Sequence, residues 1–118
     1  MRPESPAYVS DALDAASRAR SVAESSTRRE YLDNWMLKSA VERQLEIMGE
    51  ALKNLRKADP STAERVPDVH AIIATRNILA HAYATVDHVR IWEVLVDDLP
   101  GVISALERLL DEADSSRS

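Results

Sequence analysis

The feature that most constrains the fold is a run of apolar residues stepping by three and four: Leu37, Val41, Leu45, Met48, Leu52 and Leu55. Such spacing lays one continuous stripe along a helix, here over roughly Trp35 to Lys57 and about six turns long. A helix with one such face must bury it against other helices or a sheet. Only two glycines, few aromatics and no phenylalanine favour helices over a turn-rich sheet protein. A length of 118 residues suits one domain, residues 1–118, around a single core.

The other periodic stretches fit the same plan. Tyr8, Val9, Ala12, Leu13, Ala16 and Ala19 space as a first helix ending near Ala23 to Ser26, after a loose tail at residues 1–7. Ser25 to Glu30 holds a helix-start signal, a Ser or Thr with a glutamate three residues on. A short helix to Leu32 follows, with Asp33 or Asn34 capping the long one. Pro60 ends the long helix, Glu64 to Pro67 forms a connector, and Pro67 suits the first turn of the next helix. From Val86-Asp87 a last pattern, Trp92, Leu95, Val96, Leu99, Ile103, Leu106 and Leu110, stays in phase through Pro100. That predicts one kinked helix or two nearly coaxial ones, with Pro100 at the start of the second, ending in a polar tail over residues 113–118. The expected fold is all-α: an up-and-down bundle of four to five helices.

One stretch puts an arginine, an asparagine, a histidine and a tyrosine within eight residues: Arg76-Asn77-Ile78-Leu79-Ala80-His81-Ala82-Tyr83. Arg76 interrupts the apolar stripe of Val69, Ile72, Ile73 and Ala80. A guanidinium has five donors to satisfy, so Arg76 is paired, at a subunit interface, or lining an anion site. His81 lies roughly 140° round an ideal helix from Arg76. Either the helix ends near Ala80 and His81 swings back, or another chain completes the site. Imidazole moves protons near neutral pH, and a guanidinium stabilises the added charge of a phosphorane, which together suit phosphodiester cleavage. The plain alternative is a histidine closing a helix and an arginine in a structural ion pair.

The stretch resembles the Arg-x-x-x-x-His-x-Tyr signature of HEPN-domain ribonuclease toxins, specifically the HepT-like group. A second block, Val41 to Ala51, resembles that group's Arg-x-Leu-Glu-x-Ile-Gly-Glu-Ala helix, with Met48 in place of isoleucine. A third is Val86-Asp87, Ile91-Trp92-Glu93 and Asp97-Asp98-Leu99-Pro100. The resemblance implies a homodimeric HEPN-type bundle in which the Arg and His of two chains meet in one cleft. It implies a metal-independent endoribonuclease with no cofactor, Arg76 and His81 as catalytic pair, and a 2′,3′-cyclic phosphate product. Asn77 would position the phosphate. It further implies a toxin of the type VII class, neutralised by a nucleotidyltransferase antitoxin that transfers AMP to Tyr83. Tyr83 packed at a dimer seam is the bland alternative.

Arg43, Glu46 and Glu50 fall close to one line on the long helix, away from its stripe. They are a solvated face or, on the resemblance, groups that support the Arg/His site. Two carboxylates four apart could hold a divalent ion, but the Glu-x-x-His pattern of carboxylate-bridged bundles is missing. Gly49 beside them permits close helix approach. Arg18, Arg20, Arg28 and Arg29 form the one local basic cluster, either solvated or contacting phosphates.

A net charge of −5 argues against a broad nucleic-acid surface and suits a complex with a more basic protein. That keeps a second function open: a non-catalytic helical module that binds a nucleotidyltransferase or a nucleotide. The absence of cysteine removes disulfides and thiolate zinc and fits a reducing cytoplasm. No apolar run approaches the ~20 residues of a membrane span, and the N-terminal stretch is no signal peptide.

Overall fold

The computed structural model describes residues 1–81 and 86–117, with side chains to residue 115. Among these, seven α-helices and one π-helical turn are joined by short connections, with no strand. They are α1 (Ser5–Ser25), α2 (Arg28–Asp33), α3 (Trp35–Ala58), α4 (Pro60–Ala63), α5 (Val69–His81), α6 (His88–Glu93), the π turn Val94–Asp98, and α7 (Leu99–Arg117). The all-α bundle expected from the sequence is what the chain forms. No helix among the described residues is long and apolar enough to cross a membrane.

α3 is the central post. It packs against α1 on one side and α5 on another, while α7 closes over α1. Five residues of its stripe, Val41, Leu45, Met48, Leu52 and Leu55, are buried; Leu37 is half-buried at the end. The facing side of α1 is built from alanines and one valine: Val9, Ala12, Ala15, Ala16 and Ala19 are all buried. Small side chains there let two long helices lie close together. The caps are local. Thr27 and Glu30 form a reciprocal capping box at the start of α2, and Asn34 Oδ1 accepts from the Met36 and Leu37 amides to start α3.

Four expectations are corrected. Residues 1–7 are not a loose tail, because the Asp59 carboxylate accepts from the Arg2 amide at 3.0 Å and the Ser5 hydroxyl at 2.8 Å. α1 accordingly begins at Ser5, which is fully buried. Residues 113–117 are helical rather than a frayed tail, since α7 runs to Arg117. Glu112, just before them, is clamped by both terminal nitrogens of Arg65. Pro67 precedes α5 instead of opening it. The break is made by Asp68, whose φ of 58° is left-handed, a conformation Asp tolerates better than most residues.

The fourth concerns Val96, which points outward. The stripe stays in phase across Pro100 only because the helix widens there. The Leu99 amide bonds to the Val94 carbonyl, five residues back, and Pro100 has no amide hydrogen to offer. Pro100 sits in the first turn of α7, at the start of the second helix as expected, after a π turn. Ile91, Leu95, Leu99, Val102, Leu106 and Leu109 form the buried face. The turn leaves the Leu95 carbonyl without a backbone donor, and the Arg20 guanidinium of α1 fills that place at 3.0 Å. Arg20 thus leaves the basic cluster expected from the sequence; its charge closes a backbone gap.

Candidate active site

α3 and α5 touch where Gly49 faces Arg76. A Cβ built on Gly49 would overlap the Arg76 Cβ and lie 2.8 Å from its Cγ. The Arg76 stem, not merely its flexible tip, occupies the space a side chain at position 49 would need. Glycine in mid-helix usually weakens a helix; here it seats the arginine.

From that seat the guanidinium turns along α3. Its Nη2 lies 2.6 Å from Glu50 Oε2, with the side chains 20% and 46% exposed. Its Nη1 donates to Asn77 Oδ1 at 3.0 Å. The Glu50 contact is an ion pair by distance but not an aligned hydrogen bond, and the buried Oε2 has no hydrogen-bond donor among the described residues. A rotating carboxylate corrects its angle readily, so the pair is close, with the Glu50 side chain half-exposed.

A groove of ≈ 510 Å³ opens at this point. α3 contributes Arg43, Glu46 and Glu50, α5 contributes Arg76 and Ala80, and α1 contributes Tyr8, Asp11, Asp14 and Arg18. Arg43 and Glu46 form an i,i+3 pair at 3.4 Å on its wall. The structure therefore brings together Arg43, Glu46, Glu50 and Arg76, with Asn77 attached to the last. It does not bring His81 to them. α5 ends at His81, one residue past Ala80, and His81 is exposed and outside the groove lining. What directly follows His81 lies outside the described residues. On an ideal helix His81 lies about 7.5 Å along the axis from Arg76 and on another side of α5. Tyr83 lies outside the described residues.

Residues 12–109 match the Ribonuclease HepT-like family. The chain belongs to that family. A candidate RNase of Methanocaldococcus jannaschii is 29% identical over 103 residues, covering 86% of this chain and 92% of its own. A second from that organism is 26% identical over 110 residues, covering 92% and 88%. One from Caldanaerobacter subterraneus subsp. tengcongensis is 31% identical over 83 residues, covering 70% and 73%. No solved structure matches.

Within this HepT-like chain, several arrangements escaped the sequence reading. Asp11 and Asp14 were not singled out, because nothing local says which face of α1 meets α3. Tyr31, fully buried, hydrogen-bonds His88 Nδ1 at 3.2 Å, and His88 Nε2 sits 3.3 Å from Glu42. Trp92 tilts over the Tyr31 ring at a centroid distance of 5.4 Å. Burial first, and the Glu42 charge second, push the Tyr31 hydroxyl well above its ordinary range, so it stays a neutral donor. This cluster ties α2, α3 and α6 together just beyond the Arg76–Tyr83 stretch. Residues so far apart in sequence carry no local signal of meeting.

Proposed function

We propose that this chain is a metal-independent endoribonuclease acting as the toxin of a toxin–antitoxin pair, with the site completed by a second copy. The observation that carries the reading is the seat of Arg76. A guanidinium is held over a groove by a glycine that admits its stem, beside a carboxylate it only partly satisfies, while the motif histidine faces elsewhere on the same helix. One chain then supplies Arg76 to a cleft and its partner supplies an imidazole. α5 also carries apolar residues on its outer side: Ala71 and Ala74 are exposed, and Ile78 is 62% exposed. A helix apolar on both sides belongs inside something larger.

In this reading His81 takes the proton of a ribose 2′-hydroxyl. The 2′-oxygen attacks the adjacent phosphorus, Arg76 stabilises the phosphorane, and the 5′-oxygen leaves as a hydroxyl by taking a proton from water, with a 2′,3′-cyclic phosphate behind it, while the His81 imidazolium returns its proton to solvent. Asn77 and Glu50 hold the guanidinium's planar fork toward the phosphate; Arg43 and Glu46 set the groove wall. A nucleotidyltransferase antitoxin neutralises the enzyme by moving AMP from ATP to the Tyr83 hydroxyl, with release of pyrophosphate. The added charge and bulk repel an RNA phosphate from the cleft.

The test compares RNA cleavage in EDTA by wild type, Arg76→Ala and His81→Ala. Loss in both variants supports the assignment; equal cleavage by all three ends it. A mixed experiment tests sharing: Arg76→Ala and His81→Ala chains, each dead alone, regain part of the activity when co-refolded. Mass spectrometry of Tyr83 after co-expression with the antitoxin decides the modification separately.

One observation favours a second reading, a non-catalytic module that binds the nucleotidyltransferase. The groove holds more carboxylates than guanidiniums, with Asp11, Asp14, Glu46 and Glu50 against Arg18, Arg43 and Arg76. A protein harmless in cells that forms a stable complex with that partner would favour it.

A further inference from the structure

The largest exposed apolar side chain is Trp35, at the first turn of α3. Trp35 is 72% exposed and its neighbour Met36 59%. Scattered exposed apolar residues are ordinary, but a tryptophan left almost wholly in water is not. Among the described residues no other ring packs on it.

Its surroundings are of mixed charge and include three cations. Lys38 is three residues on and shares its helical face. Arg29 lines the same open hollow of ≈ 530 Å³ between α2 and α3. Arg28 begins α2 and is exposed. Two carboxylates lie nearby: Glu30 accepts from the Thr27 amide in the capping box, and Asp33 pairs with Arg29 at 3.8 Å, across two strongly exposed side chains. Three cations against these two carboxylates leave the corner with one net positive charge on a chain whose net charge is −5.

The corner is also rigid and correctly placed. The buried Tyr31 anchors α2 through His88 and Trp92, and Asn34 caps α3 directly before Trp35. α5 runs antiparallel to α3, since Arg76 meets Gly49 while Ala80 shares the groove with Glu46 and Ile47. The His81 end of α5 therefore points toward the Trp35 end of α3. From Glu46 to Trp35 is about 16 Å along the helix, within reach of a strand of a few nucleotides.

We propose that the α2–α3 corner is a stacking platform for single-stranded RNA: a base lies on the Trp35 indole while Arg28, Arg29 and Lys38 meet the flanking phosphates. The inference rests on the ribonuclease reading and adds to it a place for the strand beyond the reacting step. Exposed aromatics among cations are how proteins hold single strands without reading their sequence.

The test measures binding of a short 2′-O-methyl oligoribonucleotide, which lacks the attacking hydroxyl, by fluorescence anisotropy. Trp35→Ala, at an exposed position, should leave the melting curve unchanged and weaken binding about tenfold. Arg28→Gln with Arg29→Gln should flatten the dependence of log affinity on log salt by about 1.4, two phosphate contacts at ~0.7 each. In the Trp92→Phe protein, oligonucleotide should quench the remaining indole emission. Unchanged affinity in Trp35→Ala overturns the platform even where wild type cuts RNA. No oligonucleotide binding by wild type overturns it too. A Trp35→Ala protein that alters its mass on gel filtration, with oligonucleotide affinity intact, gives the surface to a second copy and overturns it as well. Binding that depends on Trp35 in a protein that cuts nothing upholds the platform and removes the nuclease.

Discussion

Asp59 and Glu50 are two carboxylates of one helix, and they live under opposite rules. Asp59, at the C-terminal cap of α3, accepts from the Arg2 amide, the hydroxyls of Ser5, Ser61 and Thr62, and the Thr62 amide. Glu50, in the middle of the same helix, has one misaligned guanidinium. The first is saturated within its own chain and holds the N-terminal segment, α3 and α4 together. The second is half-exposed at a groove, beside the one arginine that interrupts an apolar stripe. A polar group buried within the fold is satisfied by the fold. One on a groove wall faces solvent and whatever enters, and the two kinds should respond differently to mutation.

The sharpest break is expected at Arg76. If its guanidinium stabilises the phosphorane, Arg76→Ala lowers the cleavage rate on the order of 10²–10³-fold, the range for removing one oxyanion donor. Folding stability should stay within about 1 kcal/mol of wild type. Single-turnover cleavage and urea melts on the same preparation read both quantities. A variant that loses both together would make Arg76 a structural residue like Asp59.

Asp59→Ala should do the reverse. It strands the Ser5 and Thr62 hydroxyls in a buried site, and a loss of about 3 kcal/mol is expected with cleavage per folded molecule unchanged. The pH dependence has a definite sign. Hydrogen bonds, that from the Thr62 side chain first and that from the Arg2 amide next, hold the Asp59 carboxyl well below its ordinary range. Its stabilisation is therefore full above the unfolded value of about 3.9 and is lost as pH falls below that toward the folded value. Urea midpoints taken at decreasing pH should fall in wild type and flatten in Asp59→Ala.

The sequence carried the frame of this molecule further than its joints. The α3 stripe and the Thr27–Glu30 cap were legible because each is set by residues within a few positions of one another. Arg76 was legible as an anomaly, because a charge in an apolar period is visible without knowing what it meets. What could not be read was whatever depends on two helices meeting: Gly49 under Arg76, Tyr31 against His88, Arg20 on the Leu95 carbonyl. The clue to Asp59 was present, since Asp-Pro ahead of Ser and Thr is a helix-start signal. It marks a four-residue helix that Pro60 disguised as a mere stop.

Gly49 and Gly101 sharpen the comparison at the level of one methyl group. Alanine at 49 drives into the Arg76 stem, while at 101 it meets nothing within 4 Å. Gly49→Ala should destabilise by about 2 kcal/mol, as overpacking does, and lower cleavage by displacing the guanidinium. An Arg76→Gly background, which removes the opposing Cβ, should relieve most of the destabilisation. Gly101→Ala should stabilise by about 0.5 kcal/mol and leave cleavage alone. Equal effects at the two positions would mean that helix propensity, not the α3–α5 contact, governs both.

Arg20 tests whether a half-buried charge must serve the reaction at all. Its guanidinium donates to the Leu95 carbonyl, which the π turn and Pro100 leave without a backbone donor. Arg20→Met keeps the apolar stem and removes the donor, so the carbonyl is exposed to partial burial without a bond. A cost of about 1 kcal/mol is expected, with RNA cleavage and its salt dependence unchanged. Adding Pro100→Ala supplies an amide and lets the backbone close on itself, so the same Arg20→Met change should then cost less. If Arg20→Met instead flattens the salt dependence of RNA binding, Arg20 meets phosphate, and the difference between charges that serve the fold and charges that serve the substrate no longer follows from hydrogen-bond satisfaction.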